Sequence, residues 1–138
     1  MKKFAVLLLS LVAFVSCNQT PAASPFAGTW AGTFSVVQGG QTVPVAGTLS
    51  VTVSSTGTLT GTVVNNTGEV PDNGSIKDGT VSSQGAFTAT YTYASSPNSV
   101  LGLTGTVKIE GDKLVGTNLN NTFGTEALGT VSFSLTKK

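Results

Sequence analysis

The chain has 138 residues, with seven Lys against six acidic residues, no Arg and no His. Near-neutral charge without Arg excludes the basic face that nucleic acid requires. With no His and a single Cys, the groups that build most metal sites, catalytic triads and acid–base pairs are missing. Solubility falls to 22 Thr and 15 Ser, and Thr beside Val is strand chemistry, because β-branched side chains suit a pleated surface.

The chain opens with two lysines in "MKKF", runs through the apolar stretch "AVLLLSLVAFV" and ends it at "SC". That order predicts a secretory leader over residues 1–16, with an apolar run too short to span a bilayer. The leader closes on "FVSC" at 14–17. This resembles the lipobox of bacterial lipoproteins, with Phe14 standing where that family usually has Leu or a similar aliphatic. The resemblance implies that Cys17 takes a diacylglyceryl group on its sulfur and becomes the mature N-terminus. Two or three acyl chains anchor a protein stably, where one binds only marginally. Acylation also accounts for a lone secreted Cys, which otherwise needs a partner or stays reactive. The alternative is an ordinary leader with a chance Cys. Enteric-type sorting retains lipoproteins with Asp after the Cys in the inner membrane, so Asn18 favours the outer membrane where the cell has one. The membrane is therefore an expected partner and the cell envelope the expected location.

Residues 17–25 read as the lipidated Cys and a tether, because "NQTPAASP" at 18–25 is small, polar and punctuated by two prolines. Fully extended, that segment reaches about 25 Å at ~3.3 Å per residue. Residues 26–138 read as one domain with a period of two and no helical window. Eight strands are predicted near 29–37, 42–54, 58–65, 75–82, 86–93, 100–109, 113–120 and 128–137. Turn residues join them in "QGGQ", "SSTG", "NNTGEVPDNG", "SSQG", "ASSPNS", "EGD" and "NTFGTEA". Connections this short imply sequential antiparallel hairpins.

One face of these strands carries Trp30, Phe34, Val36, Val43, Val45, Leu49, Val51, Val53, Leu59, Val63, Phe87, Tyr91, Tyr93, Leu101, Leu103, Val107, Ile109, Leu114, Val131, Phe133 and Leu135. The other is mainly Thr and Ser. A sheet greasy on one side, with no helix to cover it, has to fold onto itself. The expectation is all-β: an eight-stranded antiparallel up-and-down barrel, round or flattened. Gly32, Gly47, Gly61, Gly105, Gly116 and Gly129 fall in the inward column, with Ala89 in the equivalent place on the fifth strand. Gly inside a strand costs roughly 0.5–1 kcal/mol against Ala. The repetition therefore predicts places where strands bend or backbones approach closely. The match of "GTWAGTFSV" (28–36) to "GAFTATYTY" (85–93), and of the hairpin at 47–67 to that at 105–122, suggests four strands written twice. Eight strands closing into a ring leave no exposed edge.

"GTW" at 28–30 followed by an eight-strand meander ending in "FSLTKK" resembles the calycin superfamily of lipocalins, fatty-acid-binding proteins and avidins. In those barrels a Gly-x-Trp motif sets a Trp across the closed end, often beneath a basic residue of the last strand. The resemblance implies Trp30 in that place with Lys137 or Lys138 as the cation, a cation–π contact. "GTLTGTV" is also similar to the second hairpin of avidins. Biotin binding does not carry over, because Trp30 is the only Trp and Ala31 and Gly32 replace the polar residues that follow the motif there.

Trp30, Phe34, Phe87, Tyr91 and Tyr93 are the candidate ligand-lining residues, the tyrosines placing rings inward and hydroxyls toward water. The bland reading of the same stripe is core with a wet end. Asp72, Asn73, Ser75 and Asp78 in "PDNGSIKDG" are oxygen ligands of a kind that suits Ca²⁺, but the EF-hand spacing and terminal Glu are missing and a turn needs the same residues. Glu110 and Asp112 flank Gly111 at a hairpin tip beside Lys113, which reads as solvated charge. No catalytic residue, metal or cofactor is expected. The predicted function is a lipid-anchored, non-enzymatic envelope protein whose barrel binds a small apolar ligand. The alternative is a structural or surface-interaction protein with a solid core. A cavity of ~300 Å³ or more, opening at one end, separates the first from the second.

Overall fold

A computed structural model describes residues 19–43, 47–65 and 73–138. The leader, Cys17 and Asn18, together with residues 44–46 and 66–72, lie outside the described residues. The elements are β1 (Gly28–Gln38), β2 (Gln41–Val43), β3 (Gly47–Val53), β4 (Thr58–Asn65), β5 (Gly74–Val81), β6 (Ala86–Tyr93), β7 (Val100–Glu110), β8 (Lys113–Phe123) and β9 (Glu126–Lys137). The described residues form no helix.

Each strand pairs antiparallel with its neighbour in the order β2-β1-β3-β4-β5-β6-β7-β8-β9, and β1 also pairs with β9. That last seam runs from Trp30 opposite Lys137 to Val37 opposite Thr130. The domain is thus a closed eight-stranded antiparallel barrel with one extra short strand, and no edge is left along the seam. The predicted strand 42–54 divides in two. Its first part, β2, folds back on the upper end of β1 at Val36–Gln38, and its second, β3, pairs with the lower end at Gly28–Gly32. The predicted loop 121–127 is mostly strand, with β8 reaching Phe123 and β9 starting at Glu126 around a two-residue turn. Outside the barrel, hydroxyls pair across strands, as in Thr80 with Thr88 at 2.9 Å and Ser75 with Thr92 at 3.2 Å.

Two left-handed non-glycine residues break the alternation, and β9 slips once more against β8 between Ala127 and Gly129. Asp78 (φ 49°) is the extra residue where β5 slips against β4 and β6, and Asn118 (φ 52°) plays that part where β8 slips against β7 and β9. Asp and Asn are the non-glycine residues that most readily take a left-handed conformation. A bulge adds one residue and flips the parity of everything beyond it. Ile76 and Val81 are therefore both buried on β5, and Leu114 and Leu119 both on β8, despite their opposite parity. Ile109, expected inside, is 38% exposed. It lies on the part of β7 that runs past the end of β6, whose pairing stops at Ala86 opposite Thr106.

One end of the barrel is stitched shut. The turns at 54–57 and 82–85 have the same construction. Gly57 N–H donates to Ser54 C=O at 3.0 Å and Thr58 N–H to Ser54 Oγ at 3.1 Å; Gly85 N–H donates to Ser82 C=O at 2.9 Å and Ala86 N–H to Ser82 Oγ at 3.0 Å. Each turn glycine then accepts from the next hairpin, Val81 N–H at 2.8 Å and Val107 N–H at 2.8 Å. The entering chain joins the same rim, with Ser24 N–H donating to Ser55 C=O at 2.8 Å, and the end of the chain joins it through Lys138 N–H to Thr29 C=O at 2.9 Å.

The glycine column marks close approach, as its spacing predicts. A Cβ at Gly32 would strike the Ser134 carbonyl and come within 3.0 Å of Leu135 Cα across the β1–β9 seam. At Gly116 it would meet the Phe133 ring at 2.8 Å.

Candidate functional site

The barrel interior has a filled lower level and a hollow upper one. Phe26, from the segment before β1, plugs the stitched end, and Trp30 lies beside it with its indole N–H donating to the Phe26 carbonyl at 2.9 Å. Val53, Val81, Val107, Leu114 and Leu135 complete the plug. Lys137 Nζ sits 5.3 Å from the centre of the Trp30 ring, the cation–π contact that the Gly-x-Trp wording implies. Gly28 makes this possible. A Cβ there would lie 2.7 Å from Lys137 Cε, so the missing side chain is the space the lysine stem occupies.

Above the plug is a cavity of about 110 Å³. Leu59, Phe87 and Phe133 form its floor, with the two phenyl rings edge to face at 6.1 Å between centroids. Leu49, Val51, Val63, Ile76, Leu101 and Leu103 are among its walls. Tyr91 and Tyr93 stand on the wall in edge-to-face contact at 4.7 Å, with Phe34 and Val131 also facing the space. The lining includes the exposed Gln38, so the cavity reaches the upper rim, opposite the stitched end. Among the described residues no charged side chain lines it. Its volume is below the ~300 Å³ that marks pockets for drug-sized ligands.

The structure brings Phe34, Phe87, Tyr91 and Tyr93 to one space and leaves Trp30 out of it. Trp30 shares their face but sits a level lower, in the plug. Among the described residues no group of His, Cys, Asp or Glu is arranged to hold a metal. Of the candidate oxygen ligands, Asp72 lies outside the described residues, while Ser75 and Asp78 are on β5 rather than in a loop. Glu110 is in a 2.6 Å ion pair with Lys108, both side chains more than half exposed.

Four residues of the cavity lining, Gln38, Asn65, Ile76 and Asn121, lie outside the inward face that the sequence alternation predicts, and Asn121 is the buried polar one. Asn121 is 6% exposed and is the one buried Asn, Gln, Ser, Thr or charged residue among those described. It lines the cavity opposite Leu103 of β7 and Gly129 of β9, and its Oδ1 is buried with no hydrogen-bond partner. Alternation counted from Leu114 places it outside; the bulge at Asn118 turns it in. Comparison with family models, with curated proteins and with solved structures finds no match to this chain.

Proposed function

We propose that this is a lipid-anchored, non-enzymatic protein of the cell envelope whose barrel holds a small apolar ligand. The leader and the "FVSC" wording support the anchor through Cys17, and Asn18 supports the outer membrane in a Gram-negative cell. The observation that carries the ligand reading is the hollow upper level: about 110 Å³, mainly apolar walls, no charge among the described lining residues, and a path to the rim past Gln38. Such an interior takes a guest about as large as one ring or a short alkyl chain. An engineered dry cavity of about 150 Å³ takes benzene.

The limited volume and the filled lower level are what support a second reading, a structural or surface-interaction lipoprotein with no ligand. Native mass spectrometry of the protein purified from its own host separates the two. A reproducible adduct in the range of a small organic molecule, lost on denaturation, supports the carrier. A single unliganded mass, with no shift after incubation with small aromatic compounds, sinks it. Cys17→Ser tests the anchor separately: it moves the protein from the detergent-extracted membrane fraction to the soluble one, and unchanged partition refutes acylation at this position.

A further inference from the structure

We infer that the guest is a neutral, ring-sized apolar molecule carrying one hydrogen-bond donor, and that Asn121 receives that donor. The inference rests on the carrier reading above and adds the chemistry of the occupant.

A buried amide oxygen without a partner is costly, and Leu or Val would fill the same wall without that cost. Asn121 nevertheless occupies a strand position between Leu119 and Phe123, deep in a lining whose other amide side chains, Asn65 and Gln38, are half-buried and exposed, and whose remaining described members are aliphatic and aromatic. It reaches the inside only through the Asn118 bulge, so the local backbone irregularity and the unpartnered amide go together. The amide turns on a broad, roughly twofold χ2 torsion, so it can meet a guest without repacking its strand. The partner that Oδ1 lacks is a donor, which means a hydroxyl or an N–H on the guest.

Charge on the guest is disfavoured, because no described residue of the lining compensates it. Size limits the rest of the molecule to about one ring. Phe87 and Phe133 below and Tyr91 and Tyr93 at the side offer edges and faces to a flat guest.

Phenol and toluene are the probes, since they share a shape and differ in the donor. Each is titrated by solution NMR into the folded wild-type domain and into Asn121→Leu, with Asn121→Ala as a second variant should leucine perturb the fold. The informative quantity is the change, from wild type to variant, in the ratio of phenol affinity to toluene affinity, a comparison in which the greater apolarity of toluene cancels. That ratio falls by about tenfold in the variants, the effect of one hydrogen bond to a buried acceptor. If both probes bind the wild type and the ratio is unchanged in the variants, Asn121 is not the anchor, and the carrier reading survives. If neither probe shifts resonances of the cavity residues, both the inference and the carrier reading fall. An ordered water permanently held on Oδ1 gives equal ratios in all proteins and overturns the inference as well.

Discussion

Two glycines of the same sheet answer oppositely to one methyl group. At Gly32 on β1 an added Cβ strikes the carbonyl of Ser134 and lies 3.0 Å from Leu135 Cα, both backbone atoms of β9. At Gly102 on β7 the nearest atom is Thr122 Oγ1 at 2.8 Å, the far end of a side chain that can rotate. Gly→Ala at a permissive site stabilises by about 0.4–1 kcal/mol, because the unfolded chain loses freedom. A methyl forced against fixed backbone costs about 1–3 kcal/mol. Gly102→Ala is therefore expected to raise stability by up to about 1 kcal/mol, and Gly32→Ala to lower it by about 1–2 kcal/mol once the entropy gain is set against the clash. For a domain of this size 1 kcal/mol corresponds to roughly 4 °C in Tm. The two variants should fall on opposite sides of the wild type, roughly 4–12 °C apart. Urea unfolding followed by circular dichroism, with thermal melts alongside, measures both. Equal shifts, or a Gly32→Ala protein as stable as the wild type, would refute the claim that close approach across the β1–β9 seam explains the glycine.

Three further outcomes are expected. Asn118→Val puts a β-branched residue at φ 52° and should cost about 1–2 kcal/mol, while Asn118→Gly stays within about 0.5 kcal/mol of the wild type; equal losses would mean that the conformation is not the issue. Lys137→Ala removes the cation above Trp30 and should cost about 0.5–1 kcal/mol with a change in Trp emission, against little change for Lys138→Ala. Trp30→Phe leaves the buried carbonyl of Phe26 without its indole donor and should destabilise by about 1–3 kcal/mol in urea titrations; a neutral result would show that water reaches the plug.

The strands and their closure were legible because β1, β3, β4 and β6 alternate without interruption. In β3 and β4 the residues Leu49, Val51, Val53, Leu59 and Val63 are buried as their spacing requires. Alternation failed on β5 and β8, where one left-handed residue resets the phase. Ile76 and Val81 contradict each other until Asp78 is counted as an extra residue, and so do Leu114 and Leu119 until Asn118 is. The signal was an Asp or Asn inside a strand between buried residues of unequal parity. Face was readable from the sequence and height was not. Trp30 and Phe34 share a face, yet one lies in the plug and the other at the cavity, because height depends on register with β9. Phe26 was invisible to periodicity, since it precedes the first strand and is held by a turn in which Ala27 N–H donates to Ser24 C=O at 3.0 Å.

The bond from Ser24 to Ser55 also places the entering segment at the plugged base, away from the mouth. Seven residues separate Ser24 from Cys17, a span of about 23 Å at most. An acyl group on Cys17, as proposed, would therefore lie within about 23 Å of the plugged base, the end opposite the mouth. Lys138 is bonded to Thr29 at the same base, so a reporter fused after Lys138 would sit at the plugged end and leave the entrance at the opposite rim clear.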